Sequence, residues 1–425
     1  MLLYSKLDGL IEWHKELLSA SFRYVQMVNA ELLEQGRLDV SEKSRSNIFG
    51  WRGQFTPQLI EYLLDAYAAP DSLIVDPFCG SGTVLLEAAA KRFPCRGSEI
   101  NPAAYAMSKF ITLGSLKENY RLRLFQRVQE KVLHLARKYD GTPLFIFSDC
   151  FREKYKNLLS CAANLFPAME GKRELLLALI VMMRTESGGR GSLASSLNRA
   201  CESVCRDLCN LPLTDKMIDV DLCDARVIHE KCPASADLIV TSPPYINVFN
   251  YHQNFRALLE VIGFDLLKVA ESEIGANRKN RSNRFRTVIQ YALDMEQCLI
   301  SCATALKSDG TLILIVGHES NVRRIPFCNS RMLREIAYSL GCFHFSGERH
   351  RVFVNRFGKS IREDILIMRL IGNIPSHGEA RRIAEAHLKQ ALAFAGGEPR
   401  ADIEAALSDL QTVVASPLFD RKGVF

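Results

Sequence analysis

The sequence has no stretch long enough to cross a membrane as a helix. Its longest apolar run, Leu175–Met183, is far shorter than the roughly 20 residues that a spanning helix needs. The first residues mix acids and bases with apolar residues, so they do not resemble a signal peptide. The 13 cysteines are odd in number and form no Cys-x-x-Cys pair, which favours free thiols over a disulfide framework. We therefore expect a soluble cytoplasmic protein.

Internal repeats and low-complexity tracts are also missing. Hydrophobic residues make up 48% and charged residues 24% of the chain, which excludes a collagen-like or wholly disordered protein. The net charge of +6 permits a basic patch without demanding one. A length of 425 residues indicates one large domain with additions, or two domains.

Short apolar runs alternate with helix-like segments along the chain. A helix start is indicated by Thr56 as N-cap and Pro57 at the first helical position. Strand-like runs lie at 72–76, 95–100, 217–225, 236–242, 310–317 and 363–370. This alternation predicts an α/β fold with a parallel, doubly wound sheet.

The remaining segments suggest additions to this core. We expect an N-terminal helical extension over residues 1–45, a catalytic domain over 50–370 and a C-terminal helical tail over 373–425. The domain would contain a helical insertion at about 151–215 and a basic loop at about 271–290. Residues 144–149 read as a possible extra strand.

The octapeptide Asp76–Thr83 (DPFCGSGT) lies between a predicted strand and a predicted helix. Gly80 and Gly82 allow a sharp turn and a close approach to a ligand, and the helix N-terminus offers free N–H groups. Glu99 ends the next strand, where a carboxylate can accept hydrogen bonds from ribose hydroxyls. The phosphate-loop and G-x-G-x-x-G patterns are absent, and Asp76 suits an ammonium group better than a pyrophosphate. These features fit S-adenosylmethionine; a turn without a ligand is the alternative.

A second turn, Ser242-Pro-Pro-Tyr245, ends the strand predicted at 236–242. The two prolines fix the backbone and remove two N–H donors, so the turn presents mainly acceptors. Acceptors that hold the N–H bonds of an aromatic amine can direct its lone pair at a methyl donor. Tyr245 offers a flat face on which an extruded base can stack. A plain strand-ending turn with a packed tyrosine is the alternative.

Together the two turns make the chain resemble the amino-methylating, S-adenosylmethionine-dependent DNA methyltransferases. DPFCGSGT is similar to their cofactor motif and TSPPY to their catalytic motif, whose serine variant is typical of the N4-cytosine branch. The resemblance covers roughly residues 50–120 and 215–370 and implies a Rossmann-like fold with a mixed seven-stranded sheet. It also implies a duplex DNA substrate and a possible cognate restriction endonuclease.

The resemblance assigns site residues by motif. The catalytic turn would consist of Ser242, Pro243, Pro244 and Tyr245. The residues that would bind the cofactor are Phe55, Thr56, Asp76, Pro77, Phe78, Gly80, Ser81, Gly82, Thr83, Glu99, Ile100 and Asp224. Asp224 would lie near the adenine amino group, although Asp149 and Asp221 also lie near strand ends.

The motif order leaves other substrates open. Serine-type enzymes often place the catalytic motif first, whereas here the cofactor motif comes first. This order also resembles guanine-N2 tRNA methyltransferases, which carry Asp-Pro-Pro-Tyr. The alternatives are therefore adenine-N6 methylation of DNA, methylation of RNA, or a catalytically silent nucleic-acid binder.

Two basic stretches are candidates for contact with duplex DNA. The first spans residues 277–286 and the second runs from His318 to Lys359. The side chains expected to contact nucleic acid are Asn247, Arg278, Lys279, Arg281, Arg284 and Arg286. A solvated basic face is the alternative.

Cysteines at positions 201, 205 and 209 share one helix face, but the spacing is not that of a zinc site. We expect them to pack in a core and expect no metal.

Overall fold

The computed structural model describes residues 33–139, 149–188, 192–247, 250–276, 280, 282–355, 358–372 and 375–420. Within these ranges the strands are β1 Ile74–Asp76, β2 Cys95–Glu99, β3 Ile218–Leu222, β4 Ala236–Thr241, β5 Leu306–Gly317, β6 Glu319–Val322, β7 Ile325–Cys328, β8 Phe343–Val354 and β9 Ser360–Leu370. The helices up to β3 are α1 Gln35–Asp39, α2 Pro57–Tyr67, α3 Thr83–Ala90, α4 Pro102–Ile111, α5 Glu118–Ala136, α6 Asp149–Leu165, α7 Lys172–Ser187 and α8 Leu193–Asn210. The later helices are α9 Arg256–Val261, α10 Leu266–Ser272, α11 Arg286–Ala305, α12 Asn329–Ser339, α13 Ala380–Ala391 and α14 Gly397–Ser408.

Seven strands form one mixed sheet in the order β3-β2-β1-β4-β5-β9-β8. The pairs from β3 to β5 are parallel, and β9 runs antiparallel to both of its neighbours. Strands β6 and β7 form a separate antiparallel hairpin. The prediction of a Rossmann-like fold with a mixed seven-stranded sheet is therefore confirmed.

Alternating residues of the central strands bury both faces of the sheet. Ile313 and Ile315 of β5 pack towards α2 and α3, whereas Leu312 and Leu314 pack towards α11, α12 and α13. A third apolar cluster joins α4 through α8 with α9 and α10. Helices on both faces leave the carboxyl edge of the parallel strands open to ligands.

Most predicted elements occur near their expected positions. Helix α2 begins at Pro57 as predicted, although the Thr56 side chain makes no capping hydrogen bond. The predicted basic loop ends at Arg286, where α11 begins, and not near residue 290. Residues 1–32 and 140–148, which include most of the predicted extension and extra strand, lie outside the described residues. The division into extension, domain and tail stays a prediction.

No described helix is both long and apolar enough to span a membrane.

Candidate functional site

The two predicted turns meet at the carboxyl edge of the sheet. Strands β1 and β4 are parallel neighbours, with Val75 opposite Ile239. The hydroxyl of Thr241, the last residue of β4, donates a hydrogen bond of 2.6 Å to Oδ1 of Asp76, the last residue of β1. Ser242 follows Thr241 directly, so the chain places the two predicted motifs side by side.

A cleft lies between these turns. Predicted site residues that line it are Phe55, Asp76, Pro77, Phe78, Gly80, Ser81, Thr83, Glu99, Ile100, Asp224, Ser242, Pro243, Pro244 and Tyr245. Of the other predicted cofactor residues, Thr56 and Gly82 lie just outside the lining. The cleft therefore brings together residues that are up to 190 positions apart in the sequence.

The turn after β1 depends on glycine. Gly80 and Gly82 have φ of 51° and 88°, in the left-handed region that favours glycine. A Cβ on Gly82 would lie 2.4 Å from Cδ1 of Ile111 and 3.0 Å from the backbone of Ser108. Helix α3 starts at the next residue, Thr83, so its first N–H groups are aimed at the cleft edge.

Asp76 and Glu99 form an acidic pair in the cleft. Asp76 Oδ1 also accepts a hydrogen bond from the Phe78 N–H at 3.1 Å, and Glu99 Oε2 accepts one from the Gly80 N–H at 3.0 Å. Neither carboxyl has an ion-pair partner among the described residues. Burial raises the pKa of each to about 7, against the opposing effect of these hydrogen bonds.

This uncompensated acidity fits S-adenosylmethionine. The cofactor has an ammonium group, a positively charged sulfur and ribose hydroxyls, which favour charged carboxylates beside them. Ser81 and Thr83 contribute less directly, because their hydroxyls already donate to Gln54 at 3.0 Å and to Asn47 at 2.9 Å. These bonds hold the segment before α2 against the turn.

The Ser242–Tyr245 turn is rigidly supported. The Tyr245 ring lies against Gly317 at the end of β5, where a Cβ would be 2.8 Å from ring atom Cε2. Asn329 is fully buried; its Oδ1 accepts from the Ile246 N–H at 3.2 Å, and its Nδ2 donates to the Gly317 carbonyl at 2.9 Å. The Ser242 and Tyr245 hydroxyls lie 3.4 Å apart. Burial raises the Tyr245 pKa above its ordinary value, so the phenol stays neutral.

Asp224 lines the cleft, but its carboxylate is engaged inside the protein. It forms a buried ion pair of 2.6 Å with Arg226 and accepts from the Phe419 N–H at 3.1 Å. Arg226 also pairs with Asp294, which in turn holds Ser416. The principal contacts of Asp224 thus anchor residues near the C-terminus. Its predicted role beside adenine stays a prediction.

Three of the predicted nucleic-acid residues are described, and each has different surroundings. Asn247, with φ of 59°, donates to the Asn321 carbonyl at 2.7 Å. Arg284 is exposed, whereas Arg286 is tied to Asp409 by an ion pair of 2.5 Å. Arg278, Lys279 and Arg281 lie outside the described residues.

Several residues that line the cleft were not predicted from the sequence. Trp51 stacks on Tyr251 with ring centroids 6.0 Å apart and planes at 21°. Glu273 also lines the cleft, and its carboxylate holds the buried His252 side chain at 2.7 Å. Trp51 could have been found as a rare aromatic next to the Phe55–Pro57 segment, but Glu273 belongs to no recognisable pattern.

The twelve cysteines whose side chains the structure describes are free thiols, and no cluster of three metal-ligating side chains occurs among the described residues. Cys201 is buried and Cys205 is half-buried, but Cys209 is exposed, so the expectation of core packing is wrong for Cys209.

Comparison with known proteins supports the resemblance seen in the motifs. Residues 28–110 match the N6/N4 family model described as DNA methylase. The Type II methyltransferase M.MjaII of Methanocaldococcus jannaschii is 22% identical to this chain, over 69% of the chain and 76% of the relative. The resemblance to amino-methylating DNA methyltransferases is thus confirmed, and S-adenosylmethionine is the cofactor that this family implies.

Solved structures match at low similarity. TrmN from Thermus thermophilus has a TM-score of 0.30 and 16% identity; the match covers 75% of this chain and only 50% of TrmN. A SAM-dependent methyltransferase from Methanosarcina mazei has a TM-score of 0.33 and 10% identity, covering 73% of this chain and 97% of that one. The fold assignment therefore depends on the strand order, not on these matches.

Proposed function

We propose that the chain transfers a methyl group from S-adenosylmethionine to the exocyclic N4 amine of a cytosine extruded from duplex DNA. The observation that carries this proposal is the contact between the two turns. Thr241 joins the acidic end of β1 to the Ser242 turn through a hydrogen bond of 2.6 Å. A cationic cofactor and an amine substrate would thereby meet at one point of the cleft.

The cofactor side of the cleft is the turn from Asp76 to Thr83 together with Glu99. Bound S-adenosylmethionine supplies an electrophilic methyl group on a positively charged sulfur. Asp76 would hold its ammonium group, and Glu99 would accept hydrogen bonds from its ribose. Gly80 has a φ of 51°, a conformation that favours glycine and lets the chain turn sharply beneath the cofactor.

The substrate side is the Ser242–Tyr245 turn. Pro243 and Pro244 have no N–H, so the turn offers the Ser242 hydroxyl and carbonyl oxygens as acceptors. These acceptors would hold the amine hydrogens of cytosine and free its lone pair for attack. The neutral Tyr245 ring, fixed against Gly317, would stack on the extruded base.

The choice of cytosine N4 over adenine N6 depends on Ser242. In the family that the motifs resemble, serine at this place is typical of the N4-cytosine branch. The relative from Methanocaldococcus jannaschii is a Type II methyltransferase, so we extend the proposal to a companion restriction endonuclease with the same target.

The decisive experiment identifies the methylated nucleoside. Purified protein is incubated with methyl-labelled S-adenosylmethionine and unmethylated DNA, or in parallel with tRNA and rRNA, and the hydrolysed nucleosides are identified by mass spectrometry. We expect N4-methylcytosine. N6-methyladenine would overturn the interpretation of Ser242, and label only in tRNA or rRNA would overturn the DNA substrate.

Tyr245→Ala and Asp76→Ala test the two halves of the site. Tyr245→Ala should lose methyl transfer while S-adenosylhomocysteine still binds. Asp76→Ala should lose cofactor binding while duplex DNA still binds. Wild-type methylation by both variants would contradict the site assignment.

A further inference from the structure

The last two strands of the sheet extend beyond the other strands. Gly317, the final residue of β5, pairs with Glu363 of β9. The His318 N–H still donates to the Arg362 carbonyl at 3.1 Å, and beyond it β8 and β9 continue as a two-stranded antiparallel ribbon, in which Phe353 pairs with Ile361 and Val354 with Ser360. Two residues per strand at about 3.4 Å each carry the two-stranded part roughly 7 Å beyond His318.

The base of this ribbon adjoins the catalytic turn. Glu363 lies opposite Gly317 in the neighbouring strand. The Tyr245 ring occupies the space that a Cβ of Gly317 would need. Neighbouring strands are about 4.8 Å apart, so the ribbon rises directly beside the predicted base-binding position.

One face of the ribbon is exposed and combines apolar with cationic side chains. Val352 is 41% and Val354 is 65% exposed, and both share this face with Arg362 because cross-strand partners point to the same side. Arg362 is half-exposed and is paired with the buried carboxylate of Asp364 at 3.0 Å. Lys359 lies exposed at the tip. Residues 349–362 contain no Asp or Glu, whereas Arg351 on the opposite face is buried in an ion pair with Glu363.

The free edge of the ribbon is capped near its base. The Val352 N–H donates to Asp39 of α1 at 2.7 Å, and Gln35 donates to the His350 carbonyl at 2.8 Å. These bonds satisfy backbone groups that would otherwise invite pairing with another strand. The ribbon is thus held in place for a partner that contacts its face.

We propose that this ribbon lies in the major groove of the duplex that carries the target base. A two-stranded β-ribbon fits the major groove, and an acid-free cationic segment suits the phosphates along it. This inference depends on duplex DNA being the substrate, as proposed for the function of the chain. Of the basic stretch predicted at 318–359, it selects Lys359 and leaves out Arg323, which is paired with Glu398 and Asp402.

Two matched pairs of variants test the ribbon. Val354→Glu is compared with Leu213→Glu, an exposed apolar residue (57%) before β3 at the opposite edge of the sheet. Lys359→Gln is compared with Lys117→Gln, an exposed lysine at the start of α5. Binding of duplex and single-stranded oligonucleotides is measured over a range of salt concentrations, with S-adenosylhomocysteine binding as the check on folding.

We expect Val354→Glu to weaken duplex binding by at least roughly tenfold, and Lys359→Gln to lower the slope of log affinity against log salt by about 1. The variants at positions 213 and 117 should bind as the wild type does.

Wild-type affinity and wild-type salt slope for both ribbon variants would overturn the proposal. Equal losses of affinity for single-stranded oligonucleotides would overturn the major-groove position. If the ribbon variants bind DNA as expected but the wild-type protein forms no N4-methylcytosine, the proposed function is wrong, whereas the proposed position of the ribbon in the major groove is supported.

Discussion

Gly317 makes room for the Tyr245 ring by having no side chain. A Cβ at this position would lie 2.8 Å from Cε2 and 3.1 Å from Cδ2 of the ring. Since carbon atoms do not approach so closely, Gly317→Ala should displace the ring from the cleft wall. We expect the methyl-transfer rate to fall roughly 100-fold, as misplacement by about 1 Å can cause, while cofactor affinity is kept. Single-turnover kinetics and calorimetric cofactor binding measure the two effects.

Gly50→Ala is the control for this substitution. A Cβ on Gly50 meets no atom within 4 Å, so the variant should methylate DNA at the wild-type rate. If Gly317→Ala also transfers methyl groups at the wild-type rate, the position of the Tyr245 ring is not important for methyl transfer.

The acidic pair should make cofactor binding depend on pH. Asp76 and Glu99 each have a pKa of about 7, so below pH 7 they are mainly protonated in the ligand-free protein. A cationic ligand needs the charged forms and therefore displaces protons as it binds. We expect affinity for S-adenosylmethionine to weaken, as pH falls below 7, by up to about tenfold per pH unit for each carboxyl that must lose its proton. Calorimetry between pH 5.5 and 8 measures this slope.

Asp76→Asn isolates one carboxyl. The variant should bind more weakly at pH 8 and show a shallower pH dependence, because only Glu99 still titrates. S-adenosylhomocysteine carries the same ammonium group, so the same substitution should weaken its binding to a similar degree. An unchanged pH slope together with wild-type affinity at pH 8 in Asp76→Asn would remove Asp76 from the cofactor site.

At the scale of elements, a buried ion-pair network fastens the chain after α14 to the sheet. Arg226 is 1% exposed in its side chain and lies between Asp224 and Asp294, which both also hold the backbone near the C-terminus. Arg226→Met would leave two buried carboxylates without their cation. We expect a loss of about 3–5 kcal/mol in the free energy of unfolding, measured by urea denaturation.

The matched substitution is Arg92→Met. Arg92 pairs with Asp215 at 2.7 Å, but its side chain is 62% and its partner 73% exposed. Solvent screens such a pair, so the loss should stay below about 1 kcal/mol. Equal losses for the two variants would contradict a structural role for the buried network.

The elements that could be predicted are those whose apolar residues are explained by burial alone. Strands β1, β4 and β5 are covered on both faces and therefore appear as apolar runs with Gly or Pro at their ends. Strand β8 escaped prediction because it is an edge strand and its end projects as the ribbon, so charged and apolar residues alternate without a buried face. The helices α9 and α10 were not predicted, because they are too short to show a repeated helical pattern of apolar residues.

At the scale of the whole molecule, the two motifs could be placed because parallel strands end at one edge. The rest of the cleft depends on long-range contacts that local patterns do not encode. Asp224 has a strand-end position that suggests a ligand, yet Arg226 and the backbone of Phe419 engage its carboxylate. Sequence reasoning thus placed the two motifs at one edge of the sheet but did not predict the packing that surrounds them.

The same acidic cleft should lower the stability of the ligand-free protein at alkaline pH. The folded-state pKa of Asp76 is about 7, well above the value near 4 of an unfolded aspartate, so the folded state keeps a proton that the unfolded state loses. The free energy of unfolding therefore decreases as pH rises from about 4 towards 7 and levels off above it.

Between pH 6 and pH 8 this carboxyl alone should remove roughly 1 kcal/mol. Asp76→Asn cannot titrate, so the loss of stability from pH 6 to pH 8 should be smaller in the variant than in the wild type by that amount. Urea unfolding of both proteins at the two pH values measures the difference. Parallel pH profiles would mean that Asp76 is already charged in the empty cleft. The cleft would then carry its negative charge before the cofactor arrives, and cofactor binding would release no proton from Asp76.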